Sequence, residues 1–168
     1  MIKRKYLKEY EVNSLNGKEA VYIGKKYRFD STPLQVKKAK TVSLIFQILA
    51  VLLLIAAEWT ASESSFVFYT VIPYVISLVL CGFLLRNGIA STVFKKWVTH
   101  KEYDTYLKPQ KALSVLSGAF CIAAAVSQLF LKNESASDVL RLVLIISAGL
   151  CSVPTFISCR YMGCTPEE

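Results

Sequence analysis

The chain has 168 residues, 54% of them hydrophobic and 19% charged, with a mean hydropathy of +0.42. That balance excludes a disordered chain and a large multidomain enzyme, and it is too apolar for an ordinary soluble domain of this length. Twenty Lys and Arg against 12 Asp and Glu give a formal charge of +8, so most of the charge has one sign and its placement carries information.

The first 40 residues are polar and strongly basic, from Lys3, Arg4, Lys5 and Lys8 to Lys37, Lys38 and Lys40. Within them, Tyr10–Leu15 and Lys18–Ile23 flank Asn16-Gly17, a dipeptide suited to the positive φ of a tight type I′ turn, which predicts a small β-hairpin. Tyr27-Arg28-Phe29 either continues its second strand or forms a third, and Tyr6, Tyr10, Tyr22, Tyr27 and Phe29 supply an aromatic contact surface. Two strands are marginal in water, so the hairpin is expected to lean on the membrane surface, the central loop or a partner. Asp30-Ser31-Thr32-Pro33 reads as a helix start, with an oxygen-bearing cap and proline at the first helical position. A polar start of this length followed by a long apolar run does not read as a cleavable signal peptide, and the first helix is expected to remain in the chain.

Four apolar stretches follow, at 41–60, 66–85, 112–131 and 139–158. At about 1.5 Å rise per residue, each of these runs of about 20 residues matches a hydrocarbon core roughly 30 Å thick. The fold class expected is an all-α membrane protein: four transmembrane helices as two helical hairpins, with a small N-terminal cytoplasmic β-hairpin. The domain organisation is a basic segment over 1–32, a four-helix membrane domain over 33–160 with a loop at 86–111, and a tail at 161–168.

All of the 20 Lys and Arg except Lys132 and Arg141 lie before the first apolar stretch, between the second and third, or after the fourth. The positive-inside rule then places both termini and the central loop in the cytoplasm, as a multi-pass protein of a plasma membrane. Asn87-Gly88 is expected to stop helix two. Beyond it Ile89, Val93 and Trp97 recur at helical spacing, with Lys95 and Lys96 off the stripe, which predicts an interfacial helix with a strand as the alternative.

Pro73 and Pro154 are expected to kink helices two and four. Helix three carries Ser114, Ser117, Gly118 and Ala123–Ala125, and helix four Ser147-Ala148-Gly149, so these two are expected to pack most closely, with Ser114, Gly118 and Gly149 at the contact. Helix one, rich in Leu and Ile, is expected to face lipid. Gln47 and Gln128 are the in-membrane polar candidates for interhelical hydrogen bonds. Glu58 and Arg141 lie near the outer helix ends and read as interfacial anchors, with a mutual contact as the alternative. Lys25-Lys26 with Phe29-Asp30, Leu34 and Lys38 parallels Lys95-Lys96 with Tyr103-Asp104, Leu107 and Lys111, which suggests a parallel repeat of two hairpins.

Cys81, Cys121, Cys151, Cys159 and Cys164 contain no Cys-x-x-Cys pair and read as small packing residues. His100 is the only histidine, which excludes a site built on imidazole pairs, and no catalytic, metal or cofactor motif is present. No enzymatic activity, cofactor or nucleic-acid partner is therefore expected. The expected partners are the bilayer with its anionic headgroups, and a membrane-protein partner or second copy, contacted by Lys25, Lys26, Tyr27, Arg28, Lys95, Lys96 and Trp97. An accessory or interaction protein is the leading reading, and a small oligomeric transporter or channel the alternative.

Val21–Phe29, together with Phe68–Val75, resembles small uncharacterised four-helix membrane proteins of Gram-positive bacteria. The resemblance implies a bacterial plasma membrane and no particular activity.

Overall fold

A computed structural model describes residues 10–12, 20–22, 24–60, 68–93, 97–130 and 136–166. Four helices dominate: α1 (Pro33–Trp59), α2 (Phe68–Val93), α3 (His100–Leu129) and α4 (Ala136–Tyr161), each long and apolar enough to cross a membrane. Strands β1 (Tyr10–Val12) and β2 (Ala20–Tyr22) pair antiparallel with Tyr10 opposite Tyr22, while the Asn16-Gly17 turn lies outside the described residues. The third segment is a separate strand, β3 (Lys26–Phe29), and it pairs not with β2 but with β4 (Trp97–Thr99) and β5 (Cys164–Pro166), both antiparallel. This sheet gathers the start of α1, the connection before α3 and the end of α4 at one end of the bundle.

Helix α1 starts where the cap signal placed it. Thr32 has extended backbone and its Oγ1 accepts from the Gln35 N–H at 3.4 Å, while Gln35 Oε1 accepts from the Thr32 N–H at 3.2 Å. Thr99 and Glu102 repeat this capping box at the start of α3. Replacing Thr32 with Ala is expected to lower stability by about 1 kcal/mol, read as a shift in the thermal unfolding midpoint in detergent.

Three expectations about helix ends are corrected. Asn87-Gly88 does not stop α2, which runs on to Val93. Among the described residues the stripe is divided between the last turns of α2 and strand β4, so the strand alternative holds at Trp97–Thr99 and no separate interfacial helix is seen there. The loop expected over 86–111 is largely helix, since α3 already begins at His100. Helical pattern persists past the apolar run because the bundle contacts extend beyond it. Near its start α3 opens into a π-helical turn, Tyr103–Leu107, where the Lys108 N–H donates to the Tyr103 carbonyl. The wide turn makes room for Pro109, whose ring presses on the preceding turn of a regular helix. Pro154 follows a break in α4 at Cys151, whereas α2 is continuous through Pro73.

The helices form a ring, with α1 against α4, α2 against α3 and α3 against α4 all more extensive than α1 against α2. Helix α3 is the most buried, and α1 and α2 share the lowest burial. Large apolar side chains such as Ile45, Leu52, Ile122 and Leu150 are exposed, whereas Ser43, Gln47, Ser77 and Ser114 are buried and share the interior with an apolar cluster of Leu54, Tyr74 and Ile145. Small inward residues let the helices approach where lipid gives no hydrophobic drive between them. Val36, Ser43, Gln47 and Leu54 of α1 occupy the same register as Leu107, Ser114, Gly118 and Ala125 of α3, all at buried or small inward positions. The β3–β4 pair keeps the same spacing, with Tyr27 opposite Val98, whereas the capping boxes at Thr32 and Thr99 do not.

Candidate functional site

Strand β3 sits at the centre of its sheet and alternates, with Lys26 and Arg28 exposed and Tyr27 and Phe29 half-buried. The Tyr27 ring stacks on Tyr103 at 4.5 Å with planes 8° apart, and also faces His100 at 5.8 Å. His100 is held in turn beside Asp104 at 3.5 Å. Tyr27 thus fastens the sheet to α3. Arg28 lies opposite Trp97 on β4 and opposite Thr165 on β5, and Trp97 and Lys25 are exposed as well. The structure thus brings Lys26, Arg28 and Trp97 to one outward face, with Lys25 exposed at its margin, while Val98, the neighbour of Trp97, is completely buried beneath it. Lys95 and Lys96 lie outside the described residues.

At the edge of the sheet, the Asp30 N–H donates to the Gly163 carbonyl at 3.0 Å and Asp30 Oδ1 accepts from Thr165 Oγ1 at 2.8 Å. Lys40 Nζ lies 4.7 Å from the centre of the Phe29 ring, so its stem crosses the sheet's inner side. Burial, with the Asp30 charge adding to it, pushes the Cys164 thiol up to about 12. With so little thiolate at neutral pH, Cys164 is expected to react with maleimide far more slowly in the folded protein than after denaturation, measured by mass shift over time.

The bundle interior holds two polar clusters. Nearer the sheet, Gln47 Nε2 of α1 and Gln110 Nε2 of α3 both donate to Ser43 Oγ, at 2.8 and 3.3 Å. Gln47 Oε1 and Gln110 Oε1 are buried without a hydrogen-bond partner. Gly88 of α2 faces the Gln47 amide so closely that a Cβ there would collide with it. At the far end, Arg141 of α4 is 2% exposed and draws on the other three helices. Its Nη2 lies 3.6 Å from Glu58 Oε2 of α1. Its guanidinium carbon lies 5.6 Å from the Tyr74 ring of α2. Gln128 of α3, with its amide oxygen turned to the guanidinium, accepts from Nε at 3.1 Å and Nη1 at 3.0 Å. Tyr74 is held by its own hydroxyl, which donates to the Leu54 carbonyl.

Of the predicted in-membrane residues, Gln47 and Gln128 are thus both buried but in different clusters. Gly118 and Gly149 face each other across α3 and α4, each within 3.8 Å of the other's carbonyl oxygen when a Cβ is placed on it. Ser114 is buried one turn away, its hydroxyl donating back to the Lys111 carbonyl at 2.8 Å. Arg141 is a core residue rather than an interfacial anchor, and the Glu58 contact, the alternative reading, is present. Its place more than a turn inside α4 was the available signal. Gln110 was missed because the polar residues preceding α3's apolar run resemble a loop.

Four spans with apolar outward sides and polar clusters inside define a multi-pass helical membrane protein. Comparison with protein-family models, with curated proteins and with solved structures found no match for the chain.

Proposed function

We propose that this is a non-enzymatic membrane protein of a bacterial plasma membrane, acting as an accessory or interaction protein through the basic sheet at the end of its bundle. That end faces the cytoplasm, because it carries most of the basic residues. The observation that carries the reading is β3 at the centre of a sheet pinned to three helix ends, with Lys26 and Arg28 exposed beside Trp97. Fixed cations beside an exposed aromatic suit an acidic segment of a membrane-protein partner or an anionic headgroup layer.

A small oligomeric transporter or channel is the second reading, favoured by the unpartnered Gln47 and Gln110 oxygens in the interior. Against it, the internal cavity bounded by Gln47, Cys81, Ser117 and Thr155 is about 10 Å³, room for about one water. Liposome flux measurements on the purified full chain separate the two. The interaction reading expects no selective flux and a discrete adduct from a photo-crosslinker at position 26 that is lost in Arg28→Glu. Selective flux abolished by Gln47→Ala, Gln128→Ala or Glu58→Ala overturns it.

A further inference from the structure

Beside the basic sheet face, a groove of about 900 Å³ runs between the end of β3 and the first turns of α1. Its lining includes Arg28 and Asp30 from the β3 end, Lys37 and Lys40 of α1, Thr92 of α2 and Thr165 of β5. The volume is that of a small-molecule site, and much larger than the internal cavity of the bundle.

Charge favours an anion there. Among the described lining residues three cations face one carboxylate, and that carboxylate is already engaged, since Asp30 accepts from Thr165 at 2.8 Å. Arg28 presents a planar fork suited to two oxygens of one phosphate, and Lys37 a point charge. Both are exposed, so neither is committed to the core.

Depth identifies the source of that anion. Helix α1 has 27 residues and at 1.5 Å rise is about 40 Å long, whereas the hydrocarbon core is roughly 30 Å. With Trp59 at the far interface, the surplus falls on the first turns, from Pro33 to about Lys40. The groove therefore opens in the headgroup layer, and beyond it the outward side of α1 is apolar at Ile45 and Ile48. Phosphate at the groove and acyl chains along α1 satisfy both halves of an anionic phospholipid. A second groove on the other side of α1, about 390 Å³ and lined by Lys38, Val42, Pro154, Ile157 and Tyr161, has one cation and lacks the arginine fork.

We propose that the groove between β3 and α1 is a binding site for an anionic phospholipid, with Arg28 and Lys37 holding its phosphate and Lys40 lining the floor. The site deepens the basic-face reading and rests on it for the orientation of the bundle.

The test uses the full chain, delipidated in detergent and offered equal amounts of phosphatidylglycerol and phosphatidylcholine, with bound lipid read by native mass spectrometry. The expected result is a preference for phosphatidylglycerol of about tenfold, from two phosphate contacts, falling to about twofold or less in Arg28→Gln/Lys37→Gln. The control Lys38→Gln/Lys108→Gln, which removes the same charge outside the groove, retains the preference, and Arg28→Lys/Lys37→Arg recovers part of it. Equal loss in the control overturns the site in favour of diffuse surface charge. Complete displacement by millimolar inorganic phosphate overturns the lipid in favour of a free anion. No lipid preference, with position-26 crosslinking intact and no flux, overturns the groove and leaves the interaction reading standing. Selective flux overturns that reading instead, whatever lipid is retained.

Discussion

Replacing Glu58 with Ala is expected to destabilise the protein more than replacing Arg141 with Met, although the two side chains form one ion pair. The reason is their unequal burial: Arg141 is 2% exposed and Glu58 42%. Losing Glu58 leaves a guanidinium in the interior with the Gln128 oxygen and the Tyr74 ring but without this counter-charge. An uncompensated buried charge of this kind costs about 3 kcal/mol or more. Losing Arg141 leaves Glu58 able to turn to water, and methionine refills much of the space, so the cost is about 1 kcal/mol, mostly from the Gln128 amide oxygen left without its donor. The double variant is expected to be more stable than Glu58→Ala alone. Denaturant titration in mixed micelles reads all three, and an equal loss in the two single variants would show that the pair is not buried asymmetrically.

The second large effect is expected on α2, where two glycines six residues apart behave in opposite ways. Gly82 has nothing within 4 Å of where a Cβ would stand, and alanine there gains helix propensity of about 0.5–1 kcal/mol. At Gly88 the same added carbon meets the Gln47 amide, which is itself buried and tied to Ser43. Gly88→Ala is therefore expected to cost about 1–3 kcal/mol through overpacking. Shortening the opposing side chain tests the cause. In a Gln47→Ala background, Gly88→Ala is expected to cost little, because the space it needs is then free. A Gly88→Ala penalty unchanged by Gln47→Ala places the clash elsewhere.

Gly88 also explains why one helix end was misread. In sequence, Asn87-Gly88 has the composition of a helix stop. In the fold, Asn87 and Gly88 lie on the inward side of α2, both buried, and the glycine is there for close packing rather than for positive φ. The four spans themselves were legible because their outward sides meet lipid and must be apolar almost throughout, which no short-range context can disguise. Their inward sides were only partly legible. Gln47 and Gln128 stand out as polar residues in apolar runs, but Gln110 lies among polar neighbours and has no contrast to mark it. Which cluster each glutamine joins depends on helix rotation, and single residues do not encode that.

The sheet was the least legible part. β3, β4 and β5 are three or four residues long and come from segments separated by a whole pair of helices or more. Strands so short have no periodicity to read, and their pairing follows from where the helices deliver them. The cap at Thr32 was legible by contrast, because its partner Gln35 is three residues away.

The position of β3 also fixes an order of assembly. Its two neighbours arrive late: Trp97–Thr99 only after α2 has been made, and Cys164–Pro166 only after α4. The strand that displays Arg28 and frames the headgroup-level groove is thus synthesised before all four helices and completed only after them. Until the fourth helix is inserted, its edge has no β5 partner and Asp30 lacks Thr165 and the Gly163 carbonyl. A finished platform on this protein is a report that the whole bundle is in place.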